Sequence, residues 1–224
     1  MVCPSDGGEA GAMTRELALY LLEPDADLFR IYRRKLKDGT PGSPVWFCGG
    51  EMPCRFDLSG GAGTCYVASS PLGAFIEVFL RVSGPGVPAD EVRKRCLAWL
   101  SVTHHLRLVD LNVNANLGVM GIDAALVHEM DIGYPRSREL AQRAHEQGLE
   151  GVRWNSLRDL TGTKVNFALF APVSGEDAGK ILDVRATSPI PDEMSDEAAA
   201  EFGVAVLQSS ALYPVREAAA VGGS

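Results

Sequence analysis

Between Thr64 and Leu80 the chain changes its local grammar within three residues. Thr64-Cys65-Tyr66-Val67-Ala68 has the short apolar make-up of a buried strand, Ser69-Ser70-Pro71 has the chemistry of a helix start, and Leu72 onward is apolar and helical. A serine oxygen can accept an orphan N–H of the first turn, and proline is tolerated there because its missing N–H has no helical partner anyway. The helix carries Ala74, Phe75, Ile76, Val78, Phe79 and Leu80, with Glu77 the only charge before Arg81. One acid in so apolar a helix must be solvated, paired or used.

The remaining chain reads as alternating short elements. Thr14 is the expected N-cap of a short helix holding Leu17, Leu19, Leu21 and Leu22 and ended by Pro24. Leu28 to Tyr32 alternates as a strand does, with Arg30 inside it, and Val45-Trp46-Phe47 is an apolar piece after a turn-rich stretch. Val87 to Leu100 contains a second helix, from about Ala89, and Leu106 to Leu111 is a strand. Residues 112–134 are irregular with some helix, and Ser137 to Gln147 is an amphipathic helix closed by Gly148. Gly151 to Ser156 reads as strand and turn, Val165 to Phe170 as the clearest strand, Ile181 to Val184 as a further one, and Asp192 to Phe202 as an acidic helix. No repeat or linker divides the chain. The expectation is one domain over 14–215, with a flexible N-terminus at 1–13 and a flexible tail at 216–224.

Composition narrows the function classes. A net charge of −8 repels nucleic acid at long range, while leaving room for a local basic pocket that takes one small anion. The five cysteines form no CxxC pair, which fits free thiols in a reducing compartment. Neither a secretory leader nor an apolar run of membrane-spanning length is visible, so the cytoplasm is the expected location.

Several local patterns fail as motifs. Gly60-Gly61-Ala62-Gly63-Thr64 lacks the lysine of a phosphate loop and reads as a turn. His128-Glu129 begins like a zinc-binding HExxH, but position 132 is Ile, and His104 and His105 diverge if they lie in a strand, so no metal is expected. No GxSxG elbow exists. Arg30 and Arg55 are more informative: both lie near strand ends and turns, where a guanidinium fork can hold two phosphate oxygens.

Taken in order, these pieces resemble the RES domain, a family named for its Arg, Glu and Ser. The resemblance rests on Phe29-Arg30-Ile31-Tyr32, Arg55-Phe56-Asp57, the run from Gly63 through Tyr66 to Pro71, and Ala74-Phe75-Ile76-Glu77-Val78. Later come Glu150-Gly151-Val152-Arg153-Trp154-Asn155-Ser156-Leu157-Arg158 and Phe167-Ala168-Leu169-Phe170, so that the likeness spans about 28–171. Two positions depart from the family pattern: Glu150 stands for the usual Asp, and the serine motif is less basic.

The resemblance implies an α+β fold like that of ADP-ribosyltransferases, with NAD as substrate in a central cleft and no metal. It implies cleavage of the nicotinamide–ribose bond by hydrolysis or phosphorolysis, with inorganic phosphate as co-substrate in the latter case. It also implies a toxin held by an antitoxin partner that carries a helix-turn-helix DNA-binding domain. Protein ADP-ribosylation, a role in specialised metabolism and a non-catalytic binding module are the alternatives, and monomer and homo-oligomer are both open. Within this scheme Glu77 stabilises positive charge on the ribose, and Arg30 and Arg55 hold the pyrophosphate or admit phosphate. Tyr66 packs on nicotinamide or ribose and offers its hydroxyl, and Ser156 hydrogen-bonds the ligand or Glu77.

Overall fold

The passage from strand to helix forms as its chemistry dictates: Ser70 Oγ accepts the Gly73 N–H at 3.0 Å and caps a helix that begins at Pro71. The structure is a computed structural model and describes residues 17–49, 54–80, 86–123, 126, 129, 133–173 and 180–207. The expected flexible ends, Thr14 as a cap, and His128 lie outside the described residues. In chain order the elements are β1 (Leu19–Leu22), β2 (Leu28–Arg33), β3 (Ala62–Ala68), α1 (Pro71–Phe79), β4 (Gly86–Pro88) and α2 (Ala89–Arg93). They continue with β5 (Arg95–Val102), β6 (Leu106–Asp110), α3 (Asn114–Met120), α4 (Pro135–Glu146) and β7 (Gly151–Asn155). The last are β8 (Val165–Pro172), β9 (Leu182–Pro189), α5 (Asp192–Phe202) and β10 (Ala205–Leu207).

Two expected helices are strands. Leu19–Leu22 pairs antiparallel with β6, turning Leu22 into the core while Leu19 and Leu21 stay 43% and 47% exposed, a period of two. Asn116 fixes the approach to this strand by accepting from the Ala18 N–H and donating to the Ala18 carbonyl. The helix expected from Ala89 to Leu100 stops at Arg93, and Arg95–Val102 becomes β5. It is hydrogen-bonded to β2 on one side and β9 on the other, and that two-sided pairing overrides a local sequence that also suits a helix. The strand expected at Ile181–Val184 runs on to Pro189.

Eight strands form one sheet in the order β1-β6-β7-β8-β3-β2-β5-β9, and β4 and β10 form a separate parallel pair. One face of the sheet closes on itself. Its buried cluster, including Leu22, Leu28, Leu100, Leu106, Phe167 and Leu169, comes from strands alone. The other face carries two helical cores. Leu140, Ala141 and Ala144 of α4 pack over Val152, Trp154 and Ala168, while α1 and α5 pack over Ile31 and Ala68. Gly151 permits the close approach of β7 to β8, because a Cβ there would lie 2.4 Å from the Ala168 carbonyl oxygen. Gly60 and Gly61 both have positive φ and form the turn into β3, so the glycine run is a turn as expected.

β2 and β3 share one partnered pair, Phe29 with Ala68. Beyond it they carry no further ladder pairs, and the sheet parts where Arg30 and Tyr66 follow. This gap lies between the two helical cores.

Candidate active site

A cavity of about 310 Å³ occupies the gap, and Arg30, Arg55, Tyr66 and Glu77 all line it. Ser156 is buried behind it and reaches it through Glu77. All five expected site residues therefore meet at one cleft, although they come from two strands, a helix and two loops.

Glu77 sits in the last turn of α1, at the negative end of the helix, where a carboxylate is disfavoured by about 0.3–1 kcal/mol. Two donors offset this. Ser156 Oγ donates to Glu77 Oε1 at 2.5 Å, and Asn166 Nδ2 donates to the same oxygen at 2.9 Å. The second carboxylate oxygen accepts from neither. A carboxylate anchored through one oxygen on the wall of a cavity is a negative charge held in place, with lone pairs left on the other oxygen.

Arg55 lies on the loop before β3. Its Nη2 donates to the Glu129 carbonyl at 3.2 Å and its guanidinium stands 5.7 Å from the centre of the Tyr134 ring. Burial pulls its pKa below the usual arginine value, opposed by attraction to Tyr134, Glu77 and Glu129. Glu129 in turn caps α4, accepting the N–H groups of Arg136 at 3.0 Å and Ser137 at 2.8 Å. Burial works against its charge, but the bonds from Ser137 and Arg136 prevail and hold its pKa below the ordinary value. The residue that resembled part of a zinc motif is thus a helix cap.

Tyr66 differs from expectation in one respect. Its ring borders the cavity, but its hydroxyl accepts from the Phe56 N–H and donates to Asp57 Oδ1, both at 2.9 Å. Asp57 also takes the Cys54 N–H at 2.6 Å, and Thr64 Oγ1 donates to the Phe56 carbonyl at 2.9 Å. The hydroxyl therefore holds the loop that carries Arg55. Burial, reinforced by the Asp57 charge, pushes the phenol well above its ordinary pKa and keeps it a neutral donor. Arg30 donates to the Trp46 carbonyl at 3.0 Å and to the Cys65 sulfur.

Tyr134, Trp154, Arg158 and Asn166 are among the cavity residues that sequence reasoning gave no role. Asn166 had a readable signal, being the one polar residue inside the most apolar strand, as Glu77 is inside the most apolar helix. Arg158 is the basic residue that ends the serine motif. Among the described residues its buried Nε has no hydrogen-bond partner. Tyr134 and Trp154 had no signal beyond being aromatic. Among the described residues no three His, Cys, Asp or Glu side chains gather as a metal site, and no helix is long and apolar enough to cross a membrane.

Residues 27–188 match the sequence model of the RES domain. The chain belongs to the RES domain family. The matched segment of this RES domain runs from just before β2 to near the end of β9, and so contains every residue of the cleft. No curated protein sequence matches the chain. Its fold is similar to that of a chain in the crystal structure of the M. tuberculosis MbcT-MbcA toxin-antitoxin complex. The TM-score is 0.52 at 14% identity, over 80% of this chain and 92% of that one. The two chains share an α+β fold, which here is a curled eight-stranded sheet flanked by helices.

Proposed function

We propose that this RES domain cleaves NAD at the nicotinamide–ribose bond, acting in the cytoplasm as the toxin of a toxin–antitoxin pair. The observation that carries the chemistry is the charge arrangement of the cleft. In a chain of net charge −8, the described residues that border the cavity include three arginines, Arg30, Arg55 and Arg158, and a single carboxylate, Glu77. Such a cavity suits a ligand with anionic phosphates and one centre that becomes cationic.

Breaking the bond sends its electron pair to the pyridinium ring, releasing neutral nicotinamide and leaving positive charge on the ribose. Glu77 is the group to stabilise that charge, in a cleft where burial strengthens the attraction. Ser156 and Asn166 hold it in place at no cost during the reaction, because their bonds to Oε1 are made beforehand. Arg30 and Arg55 hold phosphate oxygens of the dinucleotide, and the Tyr66 ring packs on its nicotinamide end. The volume, about 310 Å³, is at the small end for ligand sites and suits the nicotinamide–ribose half.

The toxin role rests on the fold shared with a chain of a toxin–antitoxin complex. The partner would be an antitoxin carrying a helix-turn-helix domain. The purified protein should consume NAD, and Glu77→Gln should lower the rate by about a hundredfold or more while leaving the melting temperature close to wild type. An unchanged rate would remove Glu77 from the chemistry. Labelled NAD distinguishes this reading from protein ADP-ribosylation: free ADP-ribose or its 1″-phosphate supports it, and label bound to protein supports the alternative.

A further inference from the structure

Away from the cleft, the end of β2 and the start of β5 meet in a cluster of cations. Arg33-Arg34-Lys35 and Arg93-Lys94-Arg95 hold six of the chain's 21 lysines and arginines in two runs of three. The sheet register sets the runs side by side. Arg33 is the ladder partner of Arg95, and the Arg34 N–H donates to the Lys94 carbonyl at 2.9 Å. All but Arg95 are exposed, and none of the six lines the cavity that holds Glu77.

The charges are only partly compensated. Asp90 of α2 pairs with Arg93 at 2.5 Å, and Glu91 pairs with Lys94 at 2.7 Å and more loosely with Arg33 at 3.9 Å. Among the described residues no acid pairs with Arg34, Lys35 or Arg95. Arg95 is the most constrained of the six. Its guanidinium lies 5.4 Å from the centre of the Phe79 ring, its Nε is shielded from solvent, and no acceptor among the described residues meets that atom. Burial and the charge of Arg33 both pull its pKa below the usual arginine value. Like charges opposite one another on a ladder oppose pairing, so the chain carries a repulsion here that a bound anion would relieve.

We propose that this surface docks an acidic segment of a partner protein, whose carboxylates neutralise Arg33 and Arg95 and the flanking Arg34 and Lys94. Clusters of arginine suit such segments, because each guanidinium can hold a carboxylate through two hydrogen bonds. Three observations favour a peptide over a nucleic acid. Asp90 and Glu91 stand within the patch, where a phosphate backbone with its closely spaced charges would meet them, whereas a peptide can place its carboxylates around them. The Phe79 ring carries the Arg95 guanidinium instead of offering a face on which a base could stack. The net charge of −8 repels a long polyanion more than a short one.

Fluorescence anisotropy of the full chain with a labelled polyglutamate peptide of about ten residues should show binding at low salt that weakens as salt rises. Arg34→Glu combined with Lys94→Glu should weaken it about tenfold or more, while Arg143→Glu, on α4, should change it less than about twofold. No binding by the wild type at low salt, or equal binding by the double variant, overturns the proposal. Tighter binding of a DNA oligonucleotide of matching charge would give the patch to nucleic acid and overturn it too. Arg33→Gln should bind the peptide more weakly without melting lower. A lower melting temperature with unchanged binding would make the Arg33 and Arg95 pair purely structural, against the proposal.

Discussion

At the scale of single residues, the cleft shows why residue type and residue role come apart. Tyr66 was expected to offer its hydroxyl to the ligand, yet that hydroxyl binds Phe56 and Asp57 and so places Arg55. Tyr66→Phe should therefore act on Arg55. We expect a loss of about 1–3 kcal/mol of stability, from the Asp57 carboxylate and Phe56 N–H losing their partner, measured by denaturant melting. A weaker affinity for NAD should accompany it, although the ring is retained. Arg30 and Glu77 could be singled out in the sequence because charge inside apolar context is unusual, and Arg55 because it precedes a glycine turn. Asn166 carried the same signal and was missed because an amide draws less notice than a charge. Its role depends on donating to a carboxylate 89 residues away, and no local pattern encodes that.

At the scale of elements, loop 156–164 is the piece that sets Ser156 and Arg158 in place, and it is organised around one acid. The buried Asp159 carboxylate accepts from the Thr161 and Thr163 N–H groups at 3.0 and 2.8 Å, from the Lys164 N–H at 2.7 Å, and from both threonine hydroxyls. Burial opposes its charge, but the bonds from Thr161, Lys164 and Thr163 overcome this and depress its pKa strongly. Because the folded pKa lies below the unfolded value, the stabilisation is fully present above about pH 4 and is lost as pH falls towards the depressed value. Glu129 contributes in the same direction. Melting temperatures measured from pH 7 down to pH 3 should fall, and Asp159→Asn should melt lower at pH 7 with a flatter acid limb. An equally steep limb in the variant would assign the acid loss to other groups.

Elements also separate what was readable from what was not. α1, α4 and α5 could be read from capping residues, proline and glycine, which act locally. β1 and β5 could not: Leu19–Leu22 and Arg95–Val102 suit a helix by composition, and they are strands because β6, β2 and β9 offer hydrogen-bonding edges to them. That information lies in distant partners.

At the scale of the whole molecule, the strand-only core is what holds the cleft open between two helical banks. Leu100 is fully buried within it, on β5, which is paired on both sides. Leu100→Ala should destabilise the protein by about 2–5 kcal/mol, measured by thermal or denaturant unfolding. A loss under about 1 kcal/mol would mean that this core is loosely packed. The order of the site residues along the fold could be anticipated from the family resemblance. The parting of β2 from β3, which makes a cavity rather than a continuous sheet, had no counterpart in the sequence.

The curled sheet also bears on when the cleft can be completed. Leu19 is matched with Val109, Cys65 with Leu169, and Trp99 with Ala186, so strands made early wait for partners made much later. Long-range pairing of this kind slows folding, because the chain must close large loops before any contact rewards it. Glu77 meets Ser156 only once β7 and β8 are in place. The carboxylate proposed to act on NAD is therefore unanchored in any nascent chain that has not yet reached β8.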